Sequence, residues 1–491
     1  MHITAHNVYD LHSPVRCERR CYYKLHRHEE VSPGAFEELL FKLGSLHEER
    51  YIETIRPFVD VGAVPFDERA SLTRHLLQQK ESVIYHGYFC TEITVGTHLT
   101  RLSGAPDILV REGSSYVVRE CKLARTADEK NHVEILLQLQ IYGYLLQQAT
   151  GSPPSRLEVY LGDGSVEAFV YDGGISALAA IEEIVGIASL AKAPYSPPGW
   201  SKCQGCVFTR WCWELALKRK EAAIVPGVDQ GLARILRNQG VVTADELLSH
   251  YTEDTLARLR RPWGARTQKV GTRKARSALL HARALVDNRH IFIRRPSLPQ
   301  GPNLVMFDLE GIPAYMDELQ KIYLWGTKVC GVSPSPFIPA LAPVGPDGDE
   351  LGWEQFLANC EGLFSRYGDI SFVHWASYEK TNVKLYIDRY GDRDGIAARV
   401  LANLEDLLPV AKASVAIPEP SYSLKCVERQ AGFRRTQSEY GGTWAMAKYI
   451  EAVETSNDTL REDIIQQILT YNEEDLEATW AVYQWLRALT G

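Results

Sequence analysis

Three clusters of side chains in this sequence have the types and spacing that chemistry requires. The first lies in residues 104–123, GAPDILVREGSSYVVRECKL: an acid, Asp107, a turn-like REGSS, then an apolar run ending in Glu120-Cys121-Lys122. Side chains at i and i+2 of a strand share one side. Glu120 and Lys122 therefore share a face, and pairing with the Asp107 strand would bring all three together. Two carboxylates can hold a divalent metal through hard oxygen ligands. A lysine beside them can position a water and steady the charge of a phosphate transition state. A D…ExK pattern alone has low specificity, and the flanking chain raises it.

The second cluster lies near the C-terminus. NLVMFDLEG reads as a buried strand carrying Asp308 and Glu310, again i and i+2 on one face. Tyr378-Glu379 opens a helix after the strand ISFVHW, Asp406 lies in 403–410, and a helix over 460–488 carries Tyr471 and Asp475 one turn apart. Asp308, Glu310, Glu379 and Asp475, four acids on three elements with a tyrosine beside the last, form a two-metal constellation in which one ion activates water and the other stabilises the leaving oxygen; Asp406 reads as an auxiliary acid or a structural one. The third cluster is CQGCVFTRWCW, in which Cys203, Cys206 and Cys212 have C-x2-C-x5-C spacing. Three thiols this close favour a metal or cluster site. A four-coordinate site needs a further ligand, and the region of Cys17 and Cys21 is the obvious donor. Zinc and an iron–sulfur cluster both satisfy this ligand set.

The elements that must position these groups follow from periodicity. Phe36, Leu39, Leu40, Leu43 and Leu46 form a stripe that predicts a helix over 34–55, and His47-Glu48 follows the stripe inside GSLHEER. Residues 83–123 read as strands around the D…ExK elements. VEILLQLQIYGYLLQQ, 133–148, predicts a helix with Gln138 and Tyr142 on one side, able to reach a phosphate or a metal-bound water. Strands split by a GDG turn follow over 156–171, then a helix over 176–191. Residues 224–286 have the cadence of a helix-hairpin-helix, with IVPGVDQGLARILRNQG before a T-x-x-E helix start and VGTRKARSALLHARAL as a degenerate second copy. Such hairpins offer backbone N–H groups to DNA phosphates. Between Arg258 and Arg276 stand eight cations and no acid: Arg258, Arg260, Arg261, Arg266, Lys269, Arg273, Lys274 and Arg276. RRPSLPQGP, within 293–302, reads as a linker.

Composition sets the outer bounds. A 491-residue chain with 45% hydrophobic and 24% charged residues predicts a globular protein of several domains. The net charge of −8 argues against a broadly basic coat but leaves room for a local basic groove. No eighteen-residue apolar run predicts a membrane span, and the N-terminal MHITAHNVYDLHSP predicts no secretion signal, so a cytoplasmic location is expected. In a reducing compartment the ten cysteines read as ligands or thiols rather than disulfides. No G-x-x-x-x-G-K-[ST] motif predicts an ATP motor in this chain.

These residues resemble known nucleases. The N-terminal part resembles the RecB-like, iron–sulfur branch of the PD-(D/E)xK nucleases, through His47 in GSLHE, Asp107 in GAPD, Glu120 and Lys122 in ECK, and Gln138 and Tyr142 in QLQIY. The resemblance implies that His47, Asp107 and Glu120 bind Mg²⁺ or Mn²⁺ and that Lys122 assists catalysis. It also implies a [4Fe–4S] cluster on Cys203, Cys206, Cys212 and an N-terminal cysteine, for which Cys17 fits the family context better than Cys21. The C-terminal part resembles the DEDD exonucleases of RNase H-like fold that carry a tyrosine in their third motif. Asp308, Glu310, Tyr471 and Asp475 match that pattern, while Glu379 stands where the family has aspartate. The order of parts resembles a bacterial family of RecB-like nucleases. The expected fold is therefore α/β: a RecB-type PD-(D/E)xK core with an iron–sulfur cluster over 1–222, a helix-hairpin-helix segment over 223–292, a linker over 293–302 and an RNase H-like domain over 303–491. The expected function is metal-dependent hydrolysis of DNA, exonucleolytic on single strands or ends. The competing expectations are an RNA-directed exonuclease acting through the C-terminal domain, or a nucleic-acid-binding scaffold with inactive sites.

Overall fold

The computed structural model describes residues 1–28, 32, 35–128, 130–199, 202–203, 206–264, 266–313, 320–345, 347–437 and 441–489. The chain divides into two compact units, one of Met1–Pro33, Glu37–Ser196 and Ser201–Arg210, the other of Gly34–Phe36, Pro197–Trp200 and Trp211–Gly491. Among the described residues no helix is long and apolar enough to cross a membrane.

The first unit is built on a six-stranded sheet in the order Val59–Asp60, Val83–Tyr85, Ile108–Glu112, Ser115–Cys121, Arg156–Tyr160, Val166–Phe169. Its centre is the hairpin Ile108–Glu112/Ser115–Cys121, turned at Gly113 with φ 60°, a conformation that glycine adopts without strain. Ser115–Cys121 then pairs in parallel with Arg156–Tyr160, which requires a crossover. The helix Val133–Thr150 supplies it and ends at Gly151, φ 76°. This helix buries Leu139 and Leu146 against Leu109, Val118 and Leu157 of the sheet. A side chain at Gly104 would collide with the Tyr142 ring, so the absence of one lets the helix lie close. The helix expected over 34–55 runs Ala35–Glu53.

The second unit contains a five-stranded sheet in the order Phe337–Leu341, Lys321–Cys330, Leu304–Ile312, Phe372–His374, Leu404–Asp406. The first two pairings are antiparallel and the last two parallel. The central strand shows the two-residue period of a sheet covered on both faces. Val305, Phe307 and Leu309 pack with Trp353 and Phe356 of the helix Gly348–Tyr367. Leu304 and Met306 pack with Leu476 and Tyr483 of the C-terminal helix Asp458–Ala488. By the same alternation Asp308 and Glu310 face the C-terminal helix. That helix starts two residues before its expected boundary, where Asn457 accepts from the Leu460 N–H.

Between these sheets in sequence, the helices Gln230–Asn238, Ala244–His250, Glu253–Arg258 and Thr272–Asp287 enclose a core of Leu232, Leu236, Leu247, Leu256, Ala275 and Ala278. Thr243 and Glu246 form a capping box at the start of the second of these. The region also holds an antiparallel ribbon, Arg260–Trp263 paired with Arg266–Lys269. Sequence reading did not anticipate it, because RRPWGARTQK has no apolar alternation to mark a strand.

Candidate active sites

In the first unit the strands bring Asp107, Glu120 and Lys122 together. Asp107 immediately precedes its strand and lies across from Glu120. Its backbone N–H donates to Glu120 Oε1 at 3.0 Å, and its own Oδ2 accepts the Cys121 N–H at 2.8 Å. Lys122 Nζ donates to Glu120 Oε2 at 2.7 Å and lies 5.6 Å from the Tyr9 ring centre. The Glu120 side chain is only 1% exposed. Burial and the neighbouring Glu120 charge push the Asp107 carboxyl well above the usual carboxylate range. Burial opposes the Lys122 charge, but Glu120, Tyr9 and Asp107 outweigh it and hold the ammonium above its ordinary pKa. Gln138 Nε2 donates to the Tyr142 hydroxyl at 3.0 Å, so the two polar residues of the crossover helix form one buried pair. Burial, then the charge of Glu120, raises the Tyr142 pKa.

His47 lies differently from the other candidates. Its ring stacks on Tyr160 at 4.7 Å and hydrogen-bonds the Tyr160 backbone. Its Nε2 is buried without a partner. Among the described residues, His47, Asp107 and Glu120 do not form a set of ligand atoms all within 4.8 Å of one another. The adjacent Glu48 contributes charge that Asp107 feels, and its carboxylate is held by His86 Nε2 at 2.8 Å and by Tyr85. Sequence reasoning missed Tyr9, Glu48 and His86. Only Glu48 carried a signal, its place beside His47 in GSLHEER.

The second unit brings its acids closer. Asp308, Glu310 and Asp475 present ligand oxygens within 4.8 Å of one another. Burial and the Asp475 charge raise the pKa values of Asp308 and Glu310 well above the ordinary range. Tyr471 hydrogen-bonds Asp475, one turn away on the same helix. Glu379 stands beside this set and outside it. It is buried, its Oε2 is 3.0 Å from His374 Nδ1, and its charge reaches both Asp308 and Glu310. Asp406 serves the backbone: it accepts from Ala376 N–H at 3.0 Å and caps the helix Leu407–Ser414 through Leu408 N–H at 2.9 Å.

Three further residues frame the set. Asn472 Nδ2 donates to Asp308 Oδ2 at 2.7 Å, and a side chain at Gly326 would collide with Asn472. Arg435 joins Asp475 to Glu428, binding both Glu428 oxygens at 2.8 and 2.7 Å. Lys425 adds a second positive charge that Glu310 and Asp475 feel. Asn472 follows Tyr471 directly in the sequence. Arg435 sits in a non-periodic loop that gave no signal.

The C-terminal donor set suits a divalent cation. The C-terminal set offers three hard oxygens whose mutual repulsion a cation would relieve. The Tyr9 hydroxyl, which feels the charges of Glu120 and Asp107, and Gln138 Oε1 beside Tyr142 are buried without partners. A bound divalent ion would supply a nucleophilic water at neutral pH and neutralise phosphate charge. The chain's own residues do the rest. Lys122 donates to Glu120, Tyr471 hydrogen-bonds Asp475, and Asn472 donates to Asp308.

The eight cations of 258–276 separate into two groups. Arg258, Arg260, Arg266, Lys269, Arg273 and Arg276 are exposed. Arg261 and Lys274 turn onto Asp229, with Arg261 at 3.0 Å and Lys274 closer. Of the cysteines, Cys17 Sγ lies 3.3 Å from Ser196 Oγ, whereas Cys21 is fully buried. Among the described residues Cys17, Cys203 and Cys206 do not form a set with thiols within 4.8 Å of one another.

Residues 19–213 match the family model of the PD-(D/E)XK nuclease superfamily, and residues 305–487 match that of the RNase H superfamily. The chain thus joins a PD-(D/E)XK nuclease domain to an RNase H superfamily domain. No curated protein matches it. A solved structure described as the crystal structure of SSO0001 is similar at 16% identity, covering 43% of this chain and 85% of that chain with a TM-score of 0.27.

Proposed function

We propose that this protein is a Mg²⁺- or Mn²⁺-dependent exonuclease acting on single-stranded or end-exposed DNA. The observation that carries the reading is the C-terminal carboxylate set. Asp308, Glu310 and Asp475 converge within 4.8 Å, with Tyr471 bonded to the last. The Asp107–Glu120–Lys122 group supports a second centre of phosphodiester hydrolysis. Digestion of end-labelled single- and double-stranded DNA with Mg²⁺, Mn²⁺ or EDTA tests this. Metal-dependent release of mononucleotides or short oligonucleotides from an end is expected. Internal cuts in a closed circle would overturn the exonuclease assignment, and an RNA oligomer of the same sequence degraded faster would overturn the DNA assignment.

The helical segment around 223–292 is proposed as a helix-hairpin-helix that holds backbone phosphates. Its support is the turn at Gly227, φ 97°, leading into a helix capped by Asp229, and the exposed cations beyond it. The cysteines are proposed to hold a structural [4Fe–4S] cluster through Cys17, Cys203, Cys206 and Cys212. The choice of Cys17 is supported by its chemistry. Burial opposes ionisation of this thiol, but Lys202 and the Ser196 hydroxyl override it and lower the pKa. Burial instead pushes the Cys21 thiol up to about 12, and only the thiolate is a good ligand. A brown aerobic preparation that bleaches on Cys17→Ser, and not on Cys21→Ser, is expected. A colourless protein with stoichiometric zinc would refute the cluster.

A further inference from the structure

The ribbon Arg260–Trp263/Arg266–Lys269 carries an indole that is 58% exposed. An exposed indole offers a face on which a base can stack. Trp263 is held in place from below. The Arg261 guanidinium lies 4.7 Å from its ring centre and the Lys274 ammonium 5.7 Å. Both of those cations are tied to Asp229, which also caps the helix Gln230–Asn238. Arg261 is 3% exposed, and its Nε and Nη1 have no hydrogen-bond partner. The ribbon comes so close to that helix that a side chain at Gly231 would collide with the Pro262 carbonyl. These contacts tie the ribbon to the helix Gln230–Asn238.

The charges on the ribbon point to the ligand. Trp263 faces Arg266 across the two strands, and Arg260 faces Lys269. Directly opposed like charges destabilise a strand pair, and an anion between them reverses that cost. Arg260, Arg266 and Lys269 are exposed. Arg260 also donates to Thr267 Oγ1 at 3.2 Å and lies 3.4 Å from the Thr267 carbonyl, which directs its side chain across the ribbon. An aromatic face flanked by cations suits a nucleotide whose base is unpaired.

We propose that this ribbon docks a single nucleic-acid strand, with one unpaired base stacked on Trp263, the adjoining phosphate on Arg266 of the same face, and a phosphate further along the strand on the Arg260–Lys269 pair of the opposite face. The proposal rests on the nuclease reading and adds what that reading lacks, a means of selecting unpaired over paired substrate.

The test uses the full chain in EDTA, so that nothing is cut, with a fluorescein-labelled oligothymidine and a blunt duplex of equal length. Trp263→Ala is expected to weaken single-strand binding roughly tenfold and leave duplex binding unchanged, while Trp263→Phe retains most of the affinity. The double variant R266A/K269A is expected to weaken both ligands and to lower the slope of log affinity against log salt by about 1–2. Equal losses on both ligands for Trp263→Ala would make the ring a mere support for Arg261 and overturn the stacking. Unchanged binding by Trp263→Ala would overturn it too. Unchanged affinity and salt slope in R266A/K269A would remove the phosphate contacts. The nuclease reading is judged separately, by cleavage in the acid variants. A chain that cuts normally yet binds through neither Trp263 nor these cations refutes only this inference.

Discussion

Asp107 and Glu120 each accept a hydrogen bond from the other's strand, Glu120 from the Asp107 N–H at 3.0 Å and Asp107 from the Cys121 N–H at 2.8 Å. The acids are thus locked in place by the backbone that carries them, and their separation is set before a metal or substrate arrives. Lys122 completes the group by holding the second Glu120 oxygen. Lys122→Met, which keeps the stem and removes the charge, is expected to cut cleavage at the N-terminal centre by about 10²–10³-fold. Asp107→Asn is expected to do the same. Circular dichroism and thermal unfolding should show both variants folded. Full cleavage by both, measured in a chain whose C-terminal acids are intact and again in one where they are replaced, would remove this centre from the mechanism.

The C-terminal centre makes an independent prediction. Asp308→Asn removes the charge of one of the three converging carboxylates, the one whose Oδ2 accepts from Asn472. If the two centres cut separately their rates sum, so Asp308→Asn and Asp107→Asn should each leave the other centre's cleavage and only the double variant should lose it all. End-labelled substrates resolved by time distinguish the outcomes. If Asp308→Asn alone abolishes all cleavage, the N-terminal group does not cut.

Much of both centres was legible in sequence because strand and helix periods place side chains without further information. The i,i+2 spacing of Asp308 and Glu310 fixed their common face, and alternation along Leu304–Ile312 determined which helix they meet. The i,i+4 spacing of Tyr471 and Asp475 did the same on the helix. What escaped has no period. Arg435 reaches Asp475 from a loop, and Tyr9 reaches Lys122 from a short helix, Asn7–His12. Asp406 was weighed as an auxiliary acid or a structural one, and its two backbone hydrogen bonds show a capping role. The ribbon around Trp263 escaped because nothing in RRPWGARTQK alternates.

Arg435 gives a stability prediction. It is buried between Glu428 and Asp475 and is their shared counter-charge. Removing one member of a buried ion group leaves the others uncompensated, at a cost of about 3–5 kcal/mol. Arg435→Met is expected to lower the unfolding temperature of the second unit in EDTA. A divalent ion bound at Asp308, Glu310 and Asp475 supplies positive charge to the same carboxylates. Saturating Mn²⁺ should therefore raise the unfolding temperature more in Arg435→Met than in the native chain, since ligand binding to the folded state stabilises it. An equal Mn²⁺ shift in both proteins would show that Arg435 and the ion do not share Asp475.

His86 sets a pH dependence on the first unit. Its Nε2 lies 2.8 Å from Glu48 Oε1 and its Nδ1 3.2 Å from Asp60 Oδ1. Burial alone would lower its pKa, but the hydrogen bond and charge of Glu48, with help from Asp60, raise it above the ordinary 6.5. The folded protein therefore holds this proton more tightly than the unfolded chain does. The resulting stabilisation is fully present below pH 6.5 and is lost as pH climbs through the raised folded value. Thermal unfolding in EDTA, followed from mildly acidic to mildly alkaline buffer, should show the first unit weakening over that window. His86→Gln keeps a hydrogen-bonding side chain without the titration, and its profile should be flatter. A native profile that rises with pH, or one that His86→Gln leaves unaltered, would refute the assignment of this ion pair as the pH-sensitive contact.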